Sequence, residues 1–348
     1  MSVAALTESR TFGRFLEYNR DKVLPGIISA AIDSQPGVSL FFGKIGNAAF
    51  PEQGPGGKFK RMGGGATIEK KVRAGKNETV RELTGGYDTF DTTPQSNVVH
   101  ARFNWKLYGG TINISGHEID VNGSNDTAVA NMVEEEMRDC VASLVDLIGT
   151  HLYTNGGLTN RITGLDELIN CSAGNTTMGG LSRTTYSVWN SRGVSADGTA
   201  PASIVFTPTT TSFASAGLAN MRTAWNQASE GAAVSPEVIL TTLTNHERYE
   251  GSLEPQHRIT SMAMADAGIQ ALQFKTCPII QDRKATSGAM YFLNSNAIFA
   301  NVLSGADFAS SAFTEPDAQR VSISKVYLTG EVVCVDPKRC NKLTGITA

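Results

Sequence analysis

The residue types that do chemistry are scattered through this chain, and their spacing forms no reacting set. His117-Glu118 is followed by Ile, Asp and Val, so the second histidine of a zinc-binding helix, four residues on, is missing. His246-Glu247 lacks its second histidine in the same way. Gly54-Pro55-Gly56-Gly57-Lys58 has the composition of a phosphate loop, but Phe59 stands where a Ser or Thr hydroxyl must reach magnesium. Cys334 and Cys340 have no second cysteine pair with which to build a zinc site. No nucleophile elbow occurs, and the five histidines lie apart from one another. These residues specify no catalytic group, cofactor site or metal site, and no enzyme is expected.

Charge is the chemistry that remains. Between residues 58 and 81 eight Lys and Arg (Lys58, Lys60, Arg61, Lys70, Lys71, Arg73, Lys76, Arg81) face two acids, Glu69 and Glu78. The surrounding segment, 56–97, has too few apolar residues for a core of its own. A long two-stranded hairpin is marginal by itself in water, so a partner surface is expected to hold it. The acids Glu134, Glu135, Glu136 and Asp139 lie together further along the chain and complement the basic run. Lys58, Arg61, Lys70, Lys71, Lys76, Arg81, Glu134, Glu135 and Asp139 are therefore the candidate contact residues.

These acids sit on the dominant element of the pattern. Apolar side chains recur at Val129, Met132/Val133, Met137, Cys140/Val141, Leu144, Ile148 and Leu152, which predicts one helix over Asp126–Tyr153. Ser124, Asn125 and Asp126 offer N-cap oxygens, and Asn155-Gly156-Gly157 supplies the stop. Such a helix is about 40 Å long, a strut along which other elements pack.

The 348 residues can bury a real core, most simply as two or more subdomains. A net charge of −3 argues against a dedicated nucleic-acid binder. Five scattered cysteines read as buried reduced thiols. With no apolar run of eighteen residues and no charged-then-apolar leader, a soluble protein of a reducing compartment is expected, with no membrane partner.

Taken in order, residues 1–35 read as an arm broken at Pro25-Gly26, and Val38–Ile45 as a short buried strand. Ala66–Arg73 and Val98–Lys106 alternate as strands; the second puts Val99, Ala101, Phe103 and Trp105 on one face. Gly109-Gly110 punctuates the chain before a strand at Thr111–Ser115. A Ser/Thr/Gly-rich loop fills 171–203. From Pro208 helices and strands alternate: helix Ser212–Ala228, strand Val238–Thr242, helix Asn245–Leu253, a mobile segment at 260–268, then strands Ile279–Gln281 and Met290–Asn294. Two last strands, Val321–Leu328 and Val332–Val335, separate at Gly330 and return beside the strut. The fold class is α+β.

Four stretches in this order resemble the major capsid (coat) proteins of tailed bacteriophages, with the Hong Kong phage type of fold. Gly85-Gly86-Tyr87-Asp88-Thr89-Phe90-Asp91-Thr92-Thr93-Pro94 with Ala101–Lys106 is similar to the family's Y-D-T-L-D-T-T-P…A-x-F-x-W-K segment. Ile114-Ser115-Gly116-His117-Glu118 with Asn122-Gly123 resembles the lead into its spine helix. Ile162-Thr163-Gly164-Leu165 with Gly179-Gly180-Leu181-Ser182-Arg183 and Trp189 resembles I-x-G-L…G-G-I-x-R…W. Gly330–Arg339 is similar to the coat's closing strand.

The resemblance implies an N-arm at 1–35 and an E-loop at 56–105 reaching over a neighbouring subunit. It implies a peripheral domain of 36–55, 106–160 and 321–348 around a spine helix at 126–153, and an α/β axial domain at 161–320. The function it implies is a structural subunit that self-assembles, through hexamers and pentamers, into the icosahedral shell around a tailed phage's double-stranded DNA. A shell of an encapsulin-like cellular nanocompartment is the alternative. Implied partners are further copies of the chain, a separate scaffolding protein, a portal, a decoration protein, and packaged DNA held without sequence preference, with Arg10, Arg14 and Arg20 as local contacts. The implied location is the virion, after assembly in the bacterial host cytoplasm. Some relatives link an E-loop lysine covalently to a neighbour; Lys70, Lys71 or Lys76 stand where such a link would form, although the motif itself is not matched.

Overall fold

A computed structural model describes residues 16–42, 59–83, 85–86, 88–117, 126–154, 160–169, 177–191, 204–205, 213, 217–229, 234–253, 272–275, 277–316 and 319–346. The expected caps Ser124 and Asn125, the stop at 155–157, Cys171, Arg10, Arg14, Lys58 and the segment 260–268 lie outside them. The chain divides into two compact units.

The first unit takes in 1–64, 105–164 and 300–332, and its strut is the helix Asp126–Leu152. Val133, Met137, Val141, Leu144, Val145, Ile148 and Leu152 are buried along one stripe, as the periodicity predicts. Glu135, Glu136, Arg138, Asp139 and Asp146 face outward. Residues 16–35 pack on their own unit: Leu24, Ile28 and Ile32 are buried, and the helix Leu24–Asp33 packs on the strut. Pro25 does not break this helix. It falls in the first turn of Leu24–Asp33, directly after a π-helical turn at Asn19–Val23. The wider turn accommodates a residue that has no N–H to donate and a ring that crowds the preceding turn.

Residues 36–42 form a helix, Pro36–Phe42, and not the expected strand. Val38, Leu40, Phe41 and Phe42 are all buried, and a run this short, apolar but for Ser39, carries too little period to distinguish the two. Gly149 lets this corner close on the strut. A Cβ there would lie 2.1 Å from Gln35 Oε1 and 3.3 Å from a Val38 methyl.

Beside the helices lies a sheet of Phe59–Met62, Ile298–Leu303, Val321–Cys334, Ala309–Ser310 and Lys106–Ser115. Phe59–Met62 runs parallel to its neighbour, Phe59 opposite Ala300. Lys106–Ser115 pairs antiparallel with the long strand from Lys106–Gly330 to Ser115–Val321. Both glycine breaks read from the sequence vanish here. Gly110 sits mid-strand, where a Cβ would come 2.7 Å from Cys140 Sγ on the strut. Gly330 lies inside one continuous strand, Val321–Cys334, where a Cβ would meet Asn301 O at 3.1 Å. Each glycine marks a close approach, not a turn.

The second unit takes in 65–104, 165–299 and 333–348. Its six-stranded sheet runs Ile204–Val205, Asn341–Thr344, Met290–Leu293, Val238–Thr241, Cys277–Gln281, Gln273–Phe274. The helices Leu218–Ala228 and Leu243–Ser252 alternate with the strands. Met221, Ala224, Ile239, Tyr249, Ile279, Met290, Phe292 and Leu343 share its core. Thr242 caps the second helix by accepting from Asn245 N. Two boundaries differ from the expected ones. Residues 300–320 belong to the strut unit, and 333–348 to the α/β unit, because Asn341–Thr344 pairs with Met290–Leu293.

Gly164 lies close against the end of the strut. A Cβ on Gly164 would lie 2.0 Å from the Thr154 carbonyl oxygen and 3.0 Å from that of His151. Backbone cannot move aside as a side-chain end can. Gly164→Ala is expected to destabilise the protein by about 1–3 kcal/mol, read as a lower urea midpoint with an unchanged m-value.

Candidate functional site

The hairpin of Thr67–Arg73 and Val98–Asn104 pairs in full register, Thr67 opposite Asn104 and Arg73 opposite Val98. Ile68, Val72, Ala101 and Phe103 bury one face. Gly179, at φ +57°, closes against that face. Its carbonyl accepts from Arg102 N at 2.8 Å, and a Cβ would press on Phe103 and Ala101 at 3.0 and 3.2 Å. Lys70 lies 4.9 Å over the Phe299 ring, and Glu69 pairs with Arg102 at 2.9 Å. The base of the hairpin is thus fixed to its own unit.

Beyond the base the chain leaves its body. Nearly every described residue from 76 to 96 is exposed, yet Val80 (78% exposed), Leu83, Phe90 (77%) and Val98 are large apolar side chains. The loop is ordered by its own polar groups. Asn77 Oδ1 accepts from Thr79 N at 3.0 Å and Thr79 Oγ1 at 2.7 Å. Asp91 Oδ1 accepts in the same way from Thr93 N at 2.9 Å and Thr93 Oγ1 at 2.6 Å. These bonds hold the Asp91 carboxyl below its ordinary pKa, the side-chain bond from Thr93 first. Asn97 Nδ2 donates to Lys76 O at 2.9 Å and Ala74 N to Asn97 O at 2.8 Å, closing the neck. Arg81 reaches across the loop to Thr89 O. The described part of the loop is thus braced by its own hydrogen bonds while Val80 and Phe90 face water.

The contact candidates fall in different places. Lys71, Lys76 and Arg81 are exposed on the hairpin and loop, and Lys70 is turned onto Phe299. Arg61 lies in the strand Phe59–Met62, paired with Val302. On the strut, Glu134 is engaged by Arg138 one turn on, while Glu135 and Asp139 are exposed. Arg20 pairs with Asp21 at 2.8 Å. The basic residues of the loop and the strut acids lie in different units. Sequence reasoning about charge passed over Val80 and Phe90. The available signal was an apolar residue recurring in a stretch with no core to join.

Among the described residues no group of three or more His, Cys, Asp or Glu is placed to hold a metal ion. No helix of the described residues is long and apolar enough to cross a membrane. Cys277, Cys334 and Cys340 are buried free thiols, and Cys140 is half-buried.

No family model matches the chain, and no curated protein matches it by sequence. Solved structures do. A chain of the cyanophage A-1(L) capsid asymmetric unit is 16% identical and superposes with a TM-score of 0.58, over 84% of this chain and 91% of that one. A chain of the native GTA particle capsid is 11% identical at a TM-score of 0.49, over 83% of this chain and 88% of that one. The chain has the mixed α+β fold of the cyanophage capsid chain, the fold expected from the resemblance.

Proposed function

We propose that this chain is the major shell subunit of a tailed-phage capsid, and that copies join by laying the 76–96 loop of one subunit across the body of the next. The single observation that carries the proposal is the loop itself: braced by its own hydrogen bonds, exposed along nearly all its described residues, and armed with Val80 and Phe90 on a fold shared with a phage capsid chain. Reaching out and back over 24 residues, 74–97, an extended loop spans at most about 40 Å, enough to cross a neighbouring domain. A loop on one copy meeting a different surface on the next is a heterologous contact, which closes into rings. Obligate contacts of this kind bury about 2,000 Å² or more in total.

In this reading Val80 and Phe90 are the apolar anchors and Lys71, Lys76 and Arg81 the charged rim that sets register, with Glu135 and Asp139 of a second copy as their complements. The hairpin and loop act as the E-loop, Asp126–Leu152 as the spine helix and 165–299 as the body of the axial domain. A scaffolding protein, a portal, a decoration protein and the enclosed double-stranded DNA are its further partners, within a virion assembled in a bacterial cytoplasm. Net charge of −3 favours weak, sequence-independent contact with that DNA. The test is to express the chain with a candidate scaffolding protein and image the product by electron microscopy. Closed shells of uniform size are expected; only monomers or small oligomers would overturn the proposal.

A further inference from the structure

Glu331 is a carboxyl buried where nothing fully receives it. It is 1% exposed, in the long strand of the strut unit. Its Oε1 accepts from Thr163 N at 2.7 Å and Val332 N at 3.0 Å. Its Oε2 is buried, with no hydrogen-bond partner among the described residues. Tyr108, on the neighbouring strand, takes the adjacent amide: Ile162 N donates to its hydroxyl oxygen at 2.9 Å. That hydroxyl also lies 2.9 Å from His151 Nδ1, at the end of the strut. Two consecutive amides of the link that follows the strut, Ile162 and Thr163, are therefore held by two side chains and not by backbone partners.

The chain leaves the strut unit after Gly164 and after Val332 and enters it before Lys106, at Trp105. Thr163, Glu331 and Lys106 each stand one residue from such a crossing. The charged and titratable groups facing Glu331 are Lys106 and Tyr108, and Arg161 and His151 lie around Tyr108.

We propose that the Glu331 carboxyl is a proton-operated latch on the link 160–164: protonated, it keeps the clamp shut, and ionised, it loosens Thr163 and Val332 and draws water to Oε2. A neutral acid fits the site because Oε1 still accepts both amides and no charge is left on the orphaned Oε2. An ionised one leaves a buried charge only partly offset by Lys106, which the protein relieves by opening.

Burial is the main cause that lifts the Glu331 pKa to about 8, against an ordinary value of 4.5, and the Thr163 and Lys106 interactions pull it part of the way back. Burial pushes the Tyr108 hydroxyl up to about 12, and burial, then Arg161, pulls His151 below its ordinary value. Of Glu331 and Tyr108, only Glu331 changes charge between pH 6 and 9. A carboxyl raised in the folded state stabilises most at low pH, and that contribution is lost as pH climbs from the ordinary carboxyl range through about 8.

The test is amide hydrogen exchange on the full, unassembled chain, with protection corrected for the intrinsic effect of pH. In the wild type, protection at Thr163 and Val332 should fall by about tenfold or more between pH 6 and 9, while Glu331→Gln should show no such fall. Equal pH profiles in the two proteins, or a flat wild-type profile, would overturn the latch. If Glu331→Gln does not fold, the carbon-13 signal of the wild-type Glu331 carboxyl decides alone: titration near 8 supports the latch, and titration near 4.3 refutes it. All these readouts come from single chains, so they stand apart from whether the chain assembles.

Discussion

Replacing Val80 and Phe90 together with aspartate is expected to abolish shell formation and leave the folded subunit intact. Both side chains are more than three-quarters exposed in the single chain, so their loss removes little from folding. Exposed substitutions of this kind change stability by about 0.5 kcal/mol or less. At an interface the same side chains count differently. A buried anchor is worth about 2 kcal/mol or more, and a carboxylate in its pocket adds the desolvation of an unpaired charge. In the proposed shell each subunit uses the contact once as donor and once as acceptor, so the defect would recur around every ring. Sedimentation velocity should show the variant as a slow species at concentrations where the wild type forms shells, with a melting temperature within a few degrees of the wild type. Shells in normal yield would mean that the loop's apolar residues anchor nothing.

The second large effect concerns stability. Asp166, on the short helix Leu165–Leu168, gathers three partners from its own unit. Lys342 Nζ lies 2.7 Å away with both side chains largely buried. Thr286 Oγ1 donates to it at 3.2 Å, and the Tyr291 hydroxyl donates as well. Burial first, and then the Asp166 charge, pushes the Tyr291 pKa well above its ordinary value, so the phenol remains a donor. One carboxylate thus ties the start of this stretch to the strands Met290–Leu293 and Asn341–Thr344. Asp166→Ala is expected to cost about 3–5 kcal/mol, because it removes one partner of a largely buried pair and leaves the other without it. Asp166→Leu combined with Lys342→Met should recover most of that loss, since replacing the whole pair removes the uncompensated charge. Denaturant titration of the three proteins checks this. A single-variant loss under about 1 kcal/mol would show the pair to be solvated.

The parts of the fold that the sequence made legible are those with an unambiguous period. The strut ends at Leu152, one residue short of its expected end, because seven turns of three-to-four spacing fit no other element. The hairpin strands were legible because His100, Arg102 and Asn104 alternate with Val99, Ala101 and Phe103, and the buried side is the expected one. Pro36–Phe42 was not legible, since a short, largely apolar run broken only by Ser39 fits helix and strand alike. Gly110 and Gly330 misled for a different reason. Glycine marks both turns and close contacts, and only the long-range neighbours, Cys140 and Asn301, distinguish the two. Pro25 misled because a π turn that accommodates a proline has no local signature.

The site divides along the same line. The basic ribbon announced itself by composition, and the anchors Val80 and Phe90 did not. A pair of exposed apolar residues stands out only once the rest of the apolar side chains have been placed in a core. Glu331 hides within Glu331-Val332-Val333-Cys334, where strand period alone does not show whether its carboxyl faces water or the interior.

The most direct measurement of the central claim is photo-cross-linking from residue 90 in particles assembled from an equal mixture of nitrogen-14 and nitrogen-15 chains. Mass spectrometry then reports whether each cross-linked peptide pair comes from one chain or from two. If the loop of one subunit lies on the next, about half of the pairs should be isotopically mixed, joining residue 90 to the body of another copy. Pairs that are all light or all heavy would mean that the loop folds onto its own chain, and would contradict the account.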